Sequence, residues 1–124
     1  MAAVTYGNAK KADVVAINGS KAVTLEVKST AEPKWVLGGV VPAATEGFWI
    51  LVFLPPDSTL PPEYYVLSAK ELRGIVLPEH VEYTERYRVK HGKEFTGKGV
   101  VSVRREQVLA ALGAWSKVLA AVGT

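Results

Sequence analysis

The sequence predicts one α/β domain, an α+β chain built on a mixed sheet with helices packed against it. Three observations carry this. Two β-branched runs flank an Asn-Gly turn signal early in the chain, at DVVAINGSKAVTLEVK (13–28). A continuous apolar run, FWILVFL (48–54), follows. Two stretches further on have helical signatures. The order of strands, helix, strand material and helix places the chain in this class.

Taken in order, AAVTY (2–6) can form a short strand, and GNAKK reads as a turn. DVVAI is a strand by its β-branched content. Asn18-Gly19-Ser20 is a hairpin turn, because Asn and Gly tolerate positive φ. AVTLEVKST returns, with Val23, Leu25 and Val27 on one face and Thr24, Glu26 and Lys28 on the other. Pro33 and Gly38-Gly39 mark an irregular stretch. FWILVFL reads as a central strand covered on both faces. PPDSTLPPE is a loop and EYYVL the next strand. SAKELRGIVL opens with a capping box, Ser68 as N-cap and Glu71 three residues on. RYRVK and GVVSV read as strand material. The C-terminus reads as an amphipathic helix, with Val108, Leu112, Trp115, Leu119 and Val122 forming one stripe. Trp35, Trp49 and Trp115 are expected in the core.

A length of 124 residues with 48% hydrophobic content suits one packed domain spanning 1–124. No apolar stretch reaches the roughly 18 residues of a membrane span, and the N-terminus lacks a signal-peptide pattern. The absence of cysteine excludes disulfides and thiolate metal sites and suits a cytoplasmic location. The net charge of +3 is uneven: residues 84–105 hold seven Lys or Arg against two Glu. A basic segment on a near-neutral body suits a polyanion such as nucleic acid.

The hairpin carries the sharpest chemical question. If Gly19-Ser20 form the loop, Asn18 pairs with Lys21 and Asp13 faces Glu26. If Asn18-Gly19 form it, Asp13 opposes Thr24 and is diagonal to Glu26. Either turn puts Asp13, Glu26 and Lys28 on one side of the sheet, whereas a three-residue loop would separate them. Facing carboxylates repel, and a divalent cation removes the repulsion. Mg²⁺ takes one or two carboxylates and completes its shell with water and phosphate oxygens. A lysine two residues beyond Glu26 would orient a water or offset charge on a phosphate. The plainer reading is a solvent-exposed polar face. A second Glu-x-Lys, Glu32-Pro33-Lys34, lacks the context, since Pro33 disfavours a regular strand.

ADVVAINGSKAVTLEVKST resembles the core motif of the restriction-endonuclease-like, PD-(D/E)xK nuclease superfamily: an Asp before one strand, then (D/E)-x-K on the next. GNAKKADVVAI, EVKST, Trp35, FWILVFL and PEYYVLSAKEL extend the similarity over roughly residues 4–75 to small bacterial domains of that superfamily, with a weaker likeness through GVVSV and Trp115. The resemblance implies a restriction-endonuclease-like central sheet flanked by helices. It also implies a Mg²⁺- or Mn²⁺-dependent nuclease in which Asp13 and Glu26 ligate the metal and Lys28 is the catalytic lysine. One departure stands out. Members usually have a helix before the first strand, often bearing a further acidic residue, and none fits in Met1–Tyr6. Either the chain is shortened, or the C-terminal helix takes that place, or the site is degraded and the fold serves as a non-catalytic binding module. An uncovered sheet face would then favour a homodimer.

Arg86, Arg88 and Lys90 would share a face of a strand and, with Lys93, contact a nucleic-acid backbone, while Tyr83, Tyr87, His91 and Phe95 stack on bases. The plainer alternative is an edge strand protected by charge. His80 and His91 have no zinc spacing, and Gly97-Lys98-Gly99 is not a phosphate loop.

Overall fold

The computed structural model describes residues 2–5, 14–94 and 100–123, the first stretch by its backbone alone. The expected GNAKK turn, Asp13, Phe95 and Gly97-Lys98-Gly99 lie outside the described residues. The architecture is α+β: a mixed sheet, a smaller second sheet and helices. The main sheet has the order β1 (Ala2–Thr5), β2 (Val14–Asn18), β3 (Lys21–Thr30), β5 (Phe48–Phe53), β6 (Glu63–Ser68). Neighbours are antiparallel except β3 and β5, which run parallel. β4 (Lys34–Gly38) and β7 (Val101–Arg104) form a separate antiparallel ribbon. No helix among the described residues is long and apolar enough to cross a membrane.

The apolar run 48–54 is the hub, as its composition predicts. β5 contributes to two cores, one on each face. Leu51, with Trp49 and Phe53 packed around it, faces a cluster containing Trp35, Tyr65, Leu72, Val76 and Val103. Phe48, Ile50 and Val52 face a second cluster with Ala16, Leu25, Val118 and Val122. The strand also starts hard against its neighbour: a Cβ on Gly47 would strike Thr24 Oγ1 and lie 3.0 Å from the Thr24 carbonyl oxygen.

The stretch marked by Pro33 and Gly38-Gly39, expected to be irregular, holds the strand β4, whose pairing with β7 shifts register between Val36 and Gly38. Its alternation is short but clean: Trp35 and Leu37 are buried, while Lys34, Val36 and Gly38 are exposed. Trp35 is the pin that fastens the ribbon to the main sheet. It is 1% exposed, donates its indole N–H to the Val52 carbonyl at 2.9 Å, and meets Tyr65 edge-on at 5.5 Å. That hydrogen bond removes the polar cost of burying an indole.

The capping box at Ser68 is present as expected: Glu71 N–H donates to Ser68 Oγ at 3.0 Å and Ser68 N–H to Glu71 at 2.9 Å. The helix it opens, α1 (Ala69–His91), runs much further than the expected SAKELRGIVL. It passes through Pro78, which gives up one backbone hydrogen bond, and absorbs RYRVK. The expected basic strand is therefore a helix. Glu82–Arg86 and Glu85–Arg88 pairs support it at i,i+4 and i,i+3. Basic residues fill its last turn, and Gly92 caps it with φ 69°.

The expected C-terminal helix is broken. Two 3-10 turns, Arg105–Gln107 and Leu109–Ala111, precede the short α2 (Ser116–Ala121). The proposed stripe is split: Val108 and Val122 are buried, but Leu112, Trp115 and Leu119 are exposed. Gly113 takes φ 66° and donates its N–H to the Tyr64 carbonyl at 2.7 Å, while Leu112 bridges Tyr65. The segment thus lines the β6 edge and crosses from one face to the other. Val108 and Ala111 join the first core, and Val118 and Val122 the second. Trp115 is not a core residue; it lies beside Tyr64 at the surface, ring centroids 5.9 Å apart.

Trp35 should dominate the stability of the ribbon. Trp35→Ala is expected to cost about 3–5 kcal/mol, and Trp35→Phe, which leaves the Val52 carbonyl without its donor, about 1–3 kcal/mol. Urea unfolding followed by circular dichroism measures both; equal stability of Trp35→Ala and wild type would overturn this placement.

Candidate functional site

The hairpin has the first of the two registers considered from sequence. Gly19, with φ 63°, and Ser20 form the turn, and Asn18 pairs with Lys21. Pairing runs back to Val14 opposite Leu25. Asp13 precedes that last pair and lies outside the described residues. The register is held from the α2 side. Ala16 is 0% exposed beneath the C-terminal segment, and Asn18 donates to the Val122 carbonyl at 2.9 Å.

Glu26 and Lys28 sit two residues apart on β3, so they project to the same face, about 7 Å apart along the strand. Their register partners on β5 are Trp49 and Leu51, which belong to the first core. The pair therefore lies at the margin of that core, and both side chains are half-buried. Their neighbours Leu25 and Val27 turn to the opposite core. Lys28 makes no side-chain hydrogen bond or ion pair among the described residues.

Among the described residues no three His, Cys, Asp or Glu side chains cluster as a metal site. They supply one carboxylate, Glu26, with an amine two residues on. That donor set suits a hard cation such as Mg²⁺, whose shell needs only one or two carboxylates; it does not suit zinc, which seeks three or four nitrogen or sulfur ligands.

Arg86, Arg88 and Lys90 do not share a face, because they lie on a helix. At 100° per residue Arg86 and Lys90 align within about 40°, while Arg88 points away. Arg88 is engaged by Glu85. Lys93 follows the cap. Tyr87 and His91 lie about a quarter-turn round the helix from the Arg86–Lys90 line, with ring centroids 4.3 Å apart and planes tilted by 39°.

One polar network had no signal in the sequence reading. Tyr65 donates its hydroxyl to Glu63, and Arg105 reaches the same carboxylate at 2.8 and 2.9 Å. The Arg105 guanidinium also lies 5.0 Å from the Phe53 ring centre. The Tyr65 hydrogen bond and Arg105 hold the Glu63 carboxyl below its usual range against the effect of burial. Burial, with the Glu63 charge behind it, pushes the Tyr65 phenol up. The network closes one end of the first core. The alternation of Glu63 and Tyr65 on one strand was readable; the arrival of Arg105, 42 residues later, was not.

Comparison with known proteins found no family model, no curated protein and no solved structure that matches the chain.

A depressed carboxyl pKa means that Glu63 stabilises the fold above its unfolded pKa and that this contribution is lost as pH falls through the folded value. Glu63→Gln should therefore lower stability by about 1 kcal/mol at neutral pH, and the gap to wild type should close on acidification through the folded pKa of Glu63. Denaturant unfolding on either side of that pKa tests this; a gap independent of pH would refute it.

Proposed function

We propose that the chain is a metal-dependent nuclease-like domain of restriction-endonuclease-like arrangement, acting on nucleic-acid phosphodiesters. The observation that carries this reading is the hairpin register together with Glu26 and Lys28. One carboxylate and one amine stand on one face of β3, at the margin of a core, in the register on which Asp13 was expected to face Glu26. In this reading Asp13 and Glu26 hold Mg²⁺ or Mn²⁺, which when bound supplies Lewis acidity and an activated water. Lys28 orients that water or offsets charge growing on the phosphate. The half-burial of both residues limits competing solvent and strengthens their effect. Arg86, Lys90 and Lys93 contact the nucleic-acid backbone.

A second reading, a non-catalytic homodimeric module of the same fold, has one observation in its favour. Tyr64, Leu112 and Trp115 leave apolar surface exposed where the C-terminal segment crosses the β6 edge. Such surface suits an interface.

Calorimetric titration with Mn²⁺ separates the two. On the nuclease reading the wild type binds metal, Asp13→Ala and Glu26→Ala lose it, and Lys28→Ala keeps metal binding but loses cleavage of a nucleic-acid substrate by at least about 100-fold. No heat of binding at millimolar metal would overturn the metal site and leave the binding module as the better account.

A further inference from the structure

The inward stripe of α1 outlasts the core it serves. Ala69, Leu72 and Val76 are its buried residues, and none beyond Val76 is buried. Spacings of four and three continue the same line through His80, Tyr83 and Tyr87. Here the helix faces β7 across a groove of about 530 Å³, within the range of small-ligand sites. Val76, His80, Tyr83 and Arg86 form one wall, and Val100 to Ser102 with Arg104 the other. Tyr83 is 50% exposed and Val100 69%. Tyr83 thus continues the core stripe and keeps half of its surface open at the groove.

The groove's charges are balanced. Two carboxylates line it, and both are engaged. Glu79 accepts from Arg104 at 3.3 Å and from Gln107 at 2.9 Å; Glu82 lies 3.6 Å from Arg86. The excess positive charge lies just past the groove. There Arg88 pairs with Glu85, and Lys90 and Lys93 stand against Glu94. A near-neutral slot with an aromatic wall, continued by a basic rim, matches a nucleotide divided at its glycosidic bond: base inside, phosphate outside. Duplex DNA offers no such base, because its bases are stacked and paired.

We propose that this groove receives an unpaired nucleobase of single-stranded nucleic acid, stacked on Tyr83, with Arg86 and Lys90 on the adjoining phosphates. This rests on the nucleic-acid reading above and narrows its substrate to single-stranded or frayed ends. The Glu82–Arg86 pair does not prevent it, since an exposed ion pair is weak and Arg86 can exchange partners.

The test is fluorescence anisotropy with labelled oligothymidylate and with a blunt duplex of equal length, in EDTA so that metal binding and cleavage play no part. Tyr83→Ala should weaken oligothymidylate binding about ten-fold, as expected for loss of one base stack. Tyr83→Phe, which keeps the ring, should bind like wild type. Duplex binding should be unchanged in both. Arg86→Ala should weaken binding and reduce the salt dependence by about 0.7 in the log–log slope. If the wild type binds oligothymidylate and Tyr83→Ala binds it equally, or loses single strand and duplex alike, the groove assignment fails while the nucleic-acid reading stands. If the wild type binds neither nucleic acid at low salt, both fail together, and the Mn²⁺ titration alone decides the metal site.

Discussion

Everything in this chain is arranged around the need to cover β5 twice. FWILVF has no polar face to offer water, so apolar material must lie on both sides. One side is closed by α1 and by the β4–β7 ribbon, the other by the C-terminal segment. At about 25 cal/mol per Å² of apolar surface, this double burial is the dominant favourable term available to so small a domain. The remaining features are solutions to how one short chain reaches both faces. The ribbon arrives from two distant places, β4 and β7, and is fastened by burial of Trp35, Leu37, Val101 and Val103 and by the Trp35 indole hydrogen bond to Val52. The C-terminal segment finishes the first core with Val108 and Ala111, turns at Gly113, and closes the second core with Val118 and Val122.

That crossing explains why β6 can be an edge strand. An unpaired strand edge invites association. Here Gly113 donates to the Tyr64 carbonyl and Leu112 bridges Tyr65, so the crossing segment occupies part of that edge. Lys117 then ties the far side back, reaching the Val66 carbonyl at 3.0 Å and Glu71 of the capping box at 3.2 Å. A glycine at positive φ, a helix cap and an edge strand thus form one connected device.

The elements legible in the sequence were those with a local cause. The hairpin follows from Asn-Gly, β5 from its unbroken apolar run, and the start of α1 from Ser68 and Glu71. The failures also have causes. The alternation in RYRVK suits a strand, yet Glu82 and Glu85 before it and Gly92 after it are helix signals, and the i,i+3 and i,i+4 pairs prevailed. The stripe from Val108 to Val122 has helical spacing, but Gly113 sits within it and two different cores compete for its residues; tertiary demand overrode periodicity. β4 was hidden by its flanking proline and glycines, although Trp35 and Leu37 already alternate with exposed residues. Of the candidate site, the side on which Glu26 and Lys28 fall was readable from period two alone. The groove was not, because it depends on how the second half of α1 lies against a strand that begins ten residues after the helix ends.

The same packing that stabilises the sheet sets where its charges can be. A one-residue slip of β3 against β2 and β5 would carry Glu26 and Lys28 into the face occupied by Val118 and Val122, and would carry Leu25 and Val27 out of it. Burying a carboxylate and an ammonium there without partners is far costlier than any gain in strand pairing. Ala16 and Leu25, both buried, therefore do more than fill the second core: they hold the polar pair to the opposite face. On that face β5 presents Trp49 and Leu51, and an apolar residue at position 26 or 28 would extend the first core at no electrostatic cost. The chain instead places a carboxylate and an ammonium two residues apart at a half-buried margin, where each keeps part of its surface in water. That is the physical reason to look for chemistry on this strand.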